Sequence, residues 1–300
     1  MYARRLLPLA LTVLLLCPAA AVARDIAPVV GTDWLEQNLT RTDLRIVDIR
    51  KVEEYKEGHV PGAVNVFYGS WAVKRAGLDN ELPGEEDLLD VIAGAGITPH
   101  TPVVLVGRMN EVVDQVNLTR VAWTLAYAGV PSVAILDGGH GKWVAEKRPL
   151  STERPAVKAA SPSPAWRKQV YASKALMLER RSQATLVDTR MPDFFFGVSK
   201  LPFVDKPGRI AGAVNLPSAW IFTKDGTFRP EAELRQMAEG VVGSDRAREV
   251  ITYCDTGRLA SGWWFVLSQM LGYADVKMYD GSSQEFSKDP NVPLATFSWR

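Results

Sequence analysis

The sequence predicts two tandem α/β domains, each a parallel sheet flanked by helices, and three observations lead there. Segments on either side of position 150 repeat in the same order. A proline-bearing stretch without apolar periodicity separates the two halves. Within each half, short β-branched runs alternate with helical stretches, the pattern of buried parallel strands joined by helical crossovers.

Four blocks carry the repeat. Ile46-Val47-Asp48-Ile49-Arg50 matches Leu186-Val187-Asp188-Thr189-Arg190, and His59-Val60-Pro61-Gly62-Ala63-Val64-Asn65 matches Arg209-Ile210-Ala211-Gly212-Ala213-Val214-Asn215. Pro102 to Val106 matches Glu249 to Tyr253, and Ile135-Leu136-Asp137-Gly138 matches Met278-Tyr279-Asp280-Gly281. Four blocks in one register point to duplication.

From the N-terminus, Arg4 and Arg5 precede an apolar run from Leu6 to Leu16 and a small-residue stretch ending in Ala21-Val22-Ala23. The run is too short to span a bilayer, so residues 1–23 read as a signal peptide, and the protein is expected to be exported to the periplasm, with no membrane attachment after cleavage. Loss of Cys17 leaves Cys254 as the single cysteine. Loss of Arg4 and Arg5 moves the formal charge from +1 to −1, which leaves no electrostatic footprint for nucleic acid. Residues 24–150 form the first expected domain, 151–165 (STERPAVKAASPSPA) an extended linker, and 166–300 the second domain. Thr32 and Ser173 stand where helix N-caps belong in the two halves.

In the second half, the strand Val250 to Tyr253 leads through Cys254-Asp255-Thr256-Gly257 into a helix expected over about Leu259 to Met270, ended by Gly272. That places Cys254 at the carboxyl end of a strand, where open α/β sheets present their ligands. A lone thiol in an oxidising compartment is either a small buried hydrophobe or a reactive group. A sulfur-transfer catalyst needs a thiolate that takes a sulfane sulfur, holds it as a persulfide and passes it to a second nucleophile. His59, His100 and His140 all lie in the first half, which argues against a local Cys–His pair. The anion is therefore expected to be favoured by the loop amides from Asp255 to Leu259, by the helix that follows and by Arg258. Gly257 suits a loop that curls its amides inward. No HExxH, CxxC or clustered histidines suggest a metal, and no cofactor is expected.

Together, the VDxR strand end, the G-R-I-x-G-A-V-N segment with its duplicate, a cysteine opening a C-x-x-G loop, and Y-D-G-S resemble the rhodanese family. The resemblance runs from about Val29 to the C-terminus. It implies a tandem rhodanese whose first domain is catalytically silent, with Gly107 at the place of Cys254, and a sulfurtransferase working through a Cys254 persulfide. It also implies that Arg190, ending the VDxR strand, binds the anionic part of a small sulfur donor such as thiosulfate, mercaptopyruvate or an organic persulfide. The acceptor is then a thiol or cyanide, or a protein. Arg258 lies one residue after Gly257, whereas many single-domain members place an arginine two residues after that glycine.

Two departures bear on the substrate. Asp255 and Thr256 stand where thiosulfate-preferring members tend to be basic, and Phe194 stands where mercaptopyruvate-preferring members carry a second arginine. A donor larger or less charged than thiosulfate is the resulting expectation, with Phe194-Phe195-Phe196 either an apolar wall or simple core. A phosphatase of related fold needs C-x5-R, and Ala260 occupies that arginine's place. The alternative from another class is a sulfur carrier or binding module that turns over poorly on free small substrates.

Overall fold

A computed structural model describes residues 24–161 and 165–298. The expected signal peptide with Cys17, and positions 162–164 of the linker, lie outside the described residues.

In the first domain the strands are β1 (Val29–Val30), β2 (Arg45–Asp48), β3 (Val64–Asn65), β4 (Val73–Arg75), β5 (Leu78–Glu81), β6 (Val103–Val106) and β7 (Val133–Leu136). The second domain holds β8 (Tyr171–Ala172), β9 (Thr185–Asp188), β10 (Arg209–Ile210), β11 (Val214–Asn215), β12 (Val250–Tyr253), β13 (Val276–Tyr279) and β14 (Leu294–Ala295). Each domain is built on a five-stranded parallel sheet, ordered β1-β7-β6-β2-β3 in one and β11-β9-β12-β13-β8 in the other. The four repeated blocks supply corresponding strands of the two sheets.

Strand side chains alternate between two faces, and the two faces have different fates. Val104, Val106, Ala134 and Leu136 point into a core private to the first domain, and Leu186, Ile251 and Tyr253 into one private to the second. The alternate residues Val103, Leu105, Val187 and Val250 belong to one continuous core that crosses the domain boundary. Helices Val112–Tyr127 and Ala260–Phe265 meet in that shared core. Thr119 and Ser261 hydrogen-bond there at 2.8 Å, and Trp123, Trp263 and Trp264 are fully enclosed.

The domains also exchange arms. The β4–β5 hairpin reaches over the second domain, where the Asp79 amide donates to Gln284 Oε1 (2.8 Å) and the Leu82 amide to Asp280 Oδ2 (2.9 Å). In return, the turn closed by the Phe222–Phe228 bridge lies on the first domain, with the Phe228 amide donating to Asp137 Oδ1 at 2.9 Å. Arg120 of the first domain and Asp280 of the second form an ion pair with neither side chain exposed.

The expected caps divide. Ser173 caps its helix, accepting from the Leu176 amide at 3.2 Å. Thr32 does not: Gly31 precedes the helix, and the buried Thr32 hydroxyl donates to Glu146, a partner 114 residues away. The helix after Cys254 runs from Ala260 and widens into π turns over Val266–Met270 before Gly272.

Candidate active site

Cys254 follows β12, the middle strand of its sheet, and is 1% exposed. Short buried strands end where their ladder runs out of partners, and here the chain turns at once into a tight loop. Ser282 organises the turn: its Oγ accepts from the amides of Cys254 (3.1 Å) and Gly257 (3.0 Å) while donating to the Tyr279 carbonyl (2.8 Å). Gly257 has φ +71°, and a Cβ there would sit 2.5 Å from an Asp280 carboxylate oxygen and 2.8 Å from Arg120. No side chain fits that position.

The backbone amides of Thr256, Ala260 and Leu259 favour the Cys254 anion. The expected set, Asp255 to Leu259, is therefore only partly realised, because the Gly257 amide is committed to Ser282. Burial outweighs these donors. Loss of solvent, reinforced by the neighbouring Asp255 charge, pushes the thiol above its ordinary range, in the direction opposite to the pull of the loop amides.

Arg190 departs from the role expected of it. It is 1% exposed, and each of its three nitrogens is engaged: Nε and Nη2 with Asp188, Nη2 also with the Gly208 carbonyl (2.9 Å), and Nη1 with Asp255 Oδ1 (3.3 Å). Asp255 also accepts from the Ser283 hydroxyl at 2.7 Å, while its own burial pushes its carboxyl up. The acidic residue after the cysteine thus acts as an internal counter-ion that occupies the guanidinium, and Arg190 braces the loop from below. Arg50 repeats the arrangement, with Asp48 beneath it and His140 Nδ1 at 3.0 Å in place of Asp255. Asp48 and Asp188 each accept from the amide two residues on and so tie the strand end to the turn that follows.

Arg258 reaches toward the first domain. Its Nε donates to Asn117 Oδ1 at 2.7 Å and its guanidinium stacks on the Tyr68 ring, 5.0 Å from the centroid. Thr256 accepts from Asn80 Nδ2 at 3.0 Å, and Asn80 Oδ1 in turn accepts from the Tyr68 hydroxyl at 3.1 Å. The Leu259 carbonyl accepts from Ser218 at 2.6 Å. Phe195 is core, stacked under Arg209, while Phe194 is half-buried.

Sequence reading missed Ser282, Asp280 with Arg120, and the first-domain pair Tyr68 and Asn80. The Y-D-G-S block was a signal for the first two. Nothing local marks the others. At the corresponding loop of the first domain, a Cβ on Gly107 would lie 3.0 Å from Leu118 and 3.1 Å from Ile49, so apolar side chains crowd the place a cysteine would need. Among the described residues no cluster of histidine, cysteine or carboxylates could hold a metal ion.

A model of the rhodanese-like domain matches residues 31–146 and again 172–289. The chain belongs to the rhodanese family. It is a tandem rhodanese, with a cysteine at the loop position only in the second repeat, where the first has Gly107. A protein of Mycobacterium leprae named "Putative thiosulfate sulfurtransferase" is 32% identical over 293 residues, covering 88% of this chain and 96% of that protein. The "Sulfur carrier protein TtuD" of Thermus thermophilus is 32% identical over 284 residues, covering 89% and 95%. Among solved structures, YnjE superposes with a TM-score of 0.77 at 26% identity, covering 90% of this rhodanese and 68% of that chain. A variant of EanB carrying a cysteine persulfide, with ergothioneine, gives 0.78 at 23% identity, covering 90% and 70%, a likeness of fold.

Proposed function

We propose that this rhodanese is an exported sulfurtransferase that loads a sulfane sulfur onto Cys254 and passes it on. The observation that carries the reading is a buried cysteine at the carboxyl end of the middle strand, opening a loop that Ser282 pins and Gly257 turns. Fixed amide dipoles suit an anion that exists only during the reaction. The Cys254 thiolate attacks the outer sulfur of the donor, a Cys254–sulfur bond forms, the donor's sulfur–leaving-group bond breaks, and the leaving group departs with its electron pair. In the second half-reaction an acceptor nucleophile, a thiolate or cyanide, takes the outer sulfur and Cys254 leaves as thiolate. No electrons are gained or lost overall. Export rests on Arg4, Arg5 and the apolar run to Leu16.

Intact mass of the mature protein, before and after donor, tests the reading. A gain of about one sulfur that is absent in Cys254→Ser and removed by cyanide or thiol is expected; no gain with thiosulfate, mercaptopyruvate or an organic persulfide overturns it. Deep burial of Cys254 favours a second reading, a sulfur carrier serving one protein acceptor. Fast discharge to a protein with slow turnover on small acceptors distinguishes the carrier.

A further inference from the structure

The connector between the domains stands off from the first domain and leaves a cavity beneath it. Ser151 and His59 exchange backbone hydrogen bonds (3.0 and 2.9 Å), His59 Nε2 lies 3.1 Å from the Glu153 carbonyl, and the Ala160 amide donates to the Ala93 carbonyl at 3.0 Å. Between these ties, residues 154–159 make no hydrogen bond among the described residues, so the chain arches past the sheet edge at β3. A cavity of about 530 Å³ lies under the arch, bounded on its other sides by β3 and the helix Val52–Glu57. Its size is that of a small-molecule site, and every lining residue falls between 52 and 157, apart from the Cys254 loop. Val52, Val64, Val66, Pro155 and Val157 give it an aliphatic wall. Tyr55 and Asn65 also face it, but their donors are spent. The Tyr55 hydroxyl donates to the Ala63 carbonyl (2.7 Å), and Asn65 Nδ2 to the carbonyls of Asp48 and Arg50 (2.9 Å each). The charged residues of the lining are Lys56 on the helix and Arg154 on the arch, with no carboxylate beside them. Neither side chain has an ion pair or hydrogen bond among the described residues.

We propose that this cavity is a second ligand site, for an aliphatic monocarboxylate of medium chain length whose head is held by Lys56 and Arg154 while its chain lies along the valines. The lining chooses the class. An uncharged hydrocarbon would leave two like charges facing one cavity without a counter-ion, and a small inorganic anion would leave the valine wall wet. An amphipathic anion satisfies both, since its head pairs with the two cations and its tail removes the apolar wall from water. Because Arg154 belongs to the arch and Lys56 to the domain beneath, the bound head also ties the connector down where the chain has no hydrogen bonds of its own. The site goes beyond sulfur transfer and does not depend on it.

Calorimetry with octanoate, its neutral counterpart octanamide, and acetate tests this. Octanoate is expected to bind more tightly than either by about tenfold or more, and its advantage over octanamide should shrink as salt is added. Lys56 and Arg154 are both exposed, so the double variant Lys56→Gln with Arg154→Gln should fold normally. It should lose the preference for the carboxylate and keep its affinity for octanamide, while Arg154→Lys alone should retain the preference. Tryptic cleavage gives a second readout. Lys158 is exposed on the arch, whereas Arg154 is shielded from trypsin by Pro155, so octanoate should slow the cut after Lys158 in the native protein and leave it unchanged in the double variant. No octanoate binding, equal affinity for octanoate and octanamide, acetate as good as octanoate, or undiminished octanoate binding in the double variant overturns the proposal. Neither readout involves Cys254, so failure of this site leaves the sulfur-transfer reading standing, and failure to load sulfur leaves the site.

Discussion

At the scale of residues, the thiol and its counter-charges set the chemistry. Burial and Asp255 raise Cys254 while three amides oppose them, so the thiolate fraction grows with pH across the neutral range. Alkylation by iodoacetamide, followed by mass, is therefore expected to quicken about tenfold per pH unit from 7 to 9 without levelling off; a plateau near pH 7 would mean an already ionised thiol. Ser282→Ala strands the amides of Cys254 and Gly257, a cost of about 1–3 kcal/mol for buried donors. Denaturant unfolding should show that loss, together with slower sulfur loading. Cys254 and Gly257 were legible from sequence because a turn after a β-branched run needs only local residues. The fate of Arg190 was not, since its partner Asp255 is 65 positions away and only folding sets their side chains against each other.

At the scale of elements, the β4–β5 hairpin is the part of the first domain that reaches the Cys254 loop of the second, through Asn80 and Thr256. Its last residue, Glu81, is pushed up to about 8 by burial first and by Asp280 second, and its Oε1 has no hydrogen-bond partner. A carboxyl whose folded value exceeds its unfolded one binds its proton more tightly when folded. Its contribution is thus complete below about pH 4.5 and is lost as pH rises toward 8. Glu81→Gln is expected to flatten that decline and to leave the variant more stable than the native protein at pH 8 by on the order of 1 kcal/mol. Urea unfolding at pH 6 and pH 8 reads the difference, and equal losses in both proteins would remove Glu81 from the account. The hairpin was invisible in the sequence because Leu78–Glu81 is a polar run, LDNE, without strand periodicity. It is ordered by what it covers.

At the scale of the molecule, two repeats have become one folding unit. The inner faces of both sheets, with Trp123, Trp263 and Trp264, share a single core. The Arg120–Asp280 pair sits at the boundary with no exposure on either side. Removing one partner leaves a buried charge alone, so Arg120→Ala is expected to cost about 3–5 kcal/mol. Calorimetry should show one transition moving down as a whole; two transitions, with only the first domain affected, would show domains that melt independently.

The sequence by itself determined the duplication, the parallel α/β class, the strand that carries Cys254 and the loop that turns after it. Those follow from local periodicity, turn chemistry and residue order, which act over a few positions. Only the tertiary structure decided that Arg190 is occupied, that Ser282 holds the loop, and that Asn80, Tyr68 and Arg120 arrive from the other half. Such choices depend on burial, hydrogen bonding and ion pairing between residues such as Asn80 and Thr256, 176 positions apart, and Arg120 and Asp280, 160 apart, and sequence order carries no record of which of them will meet.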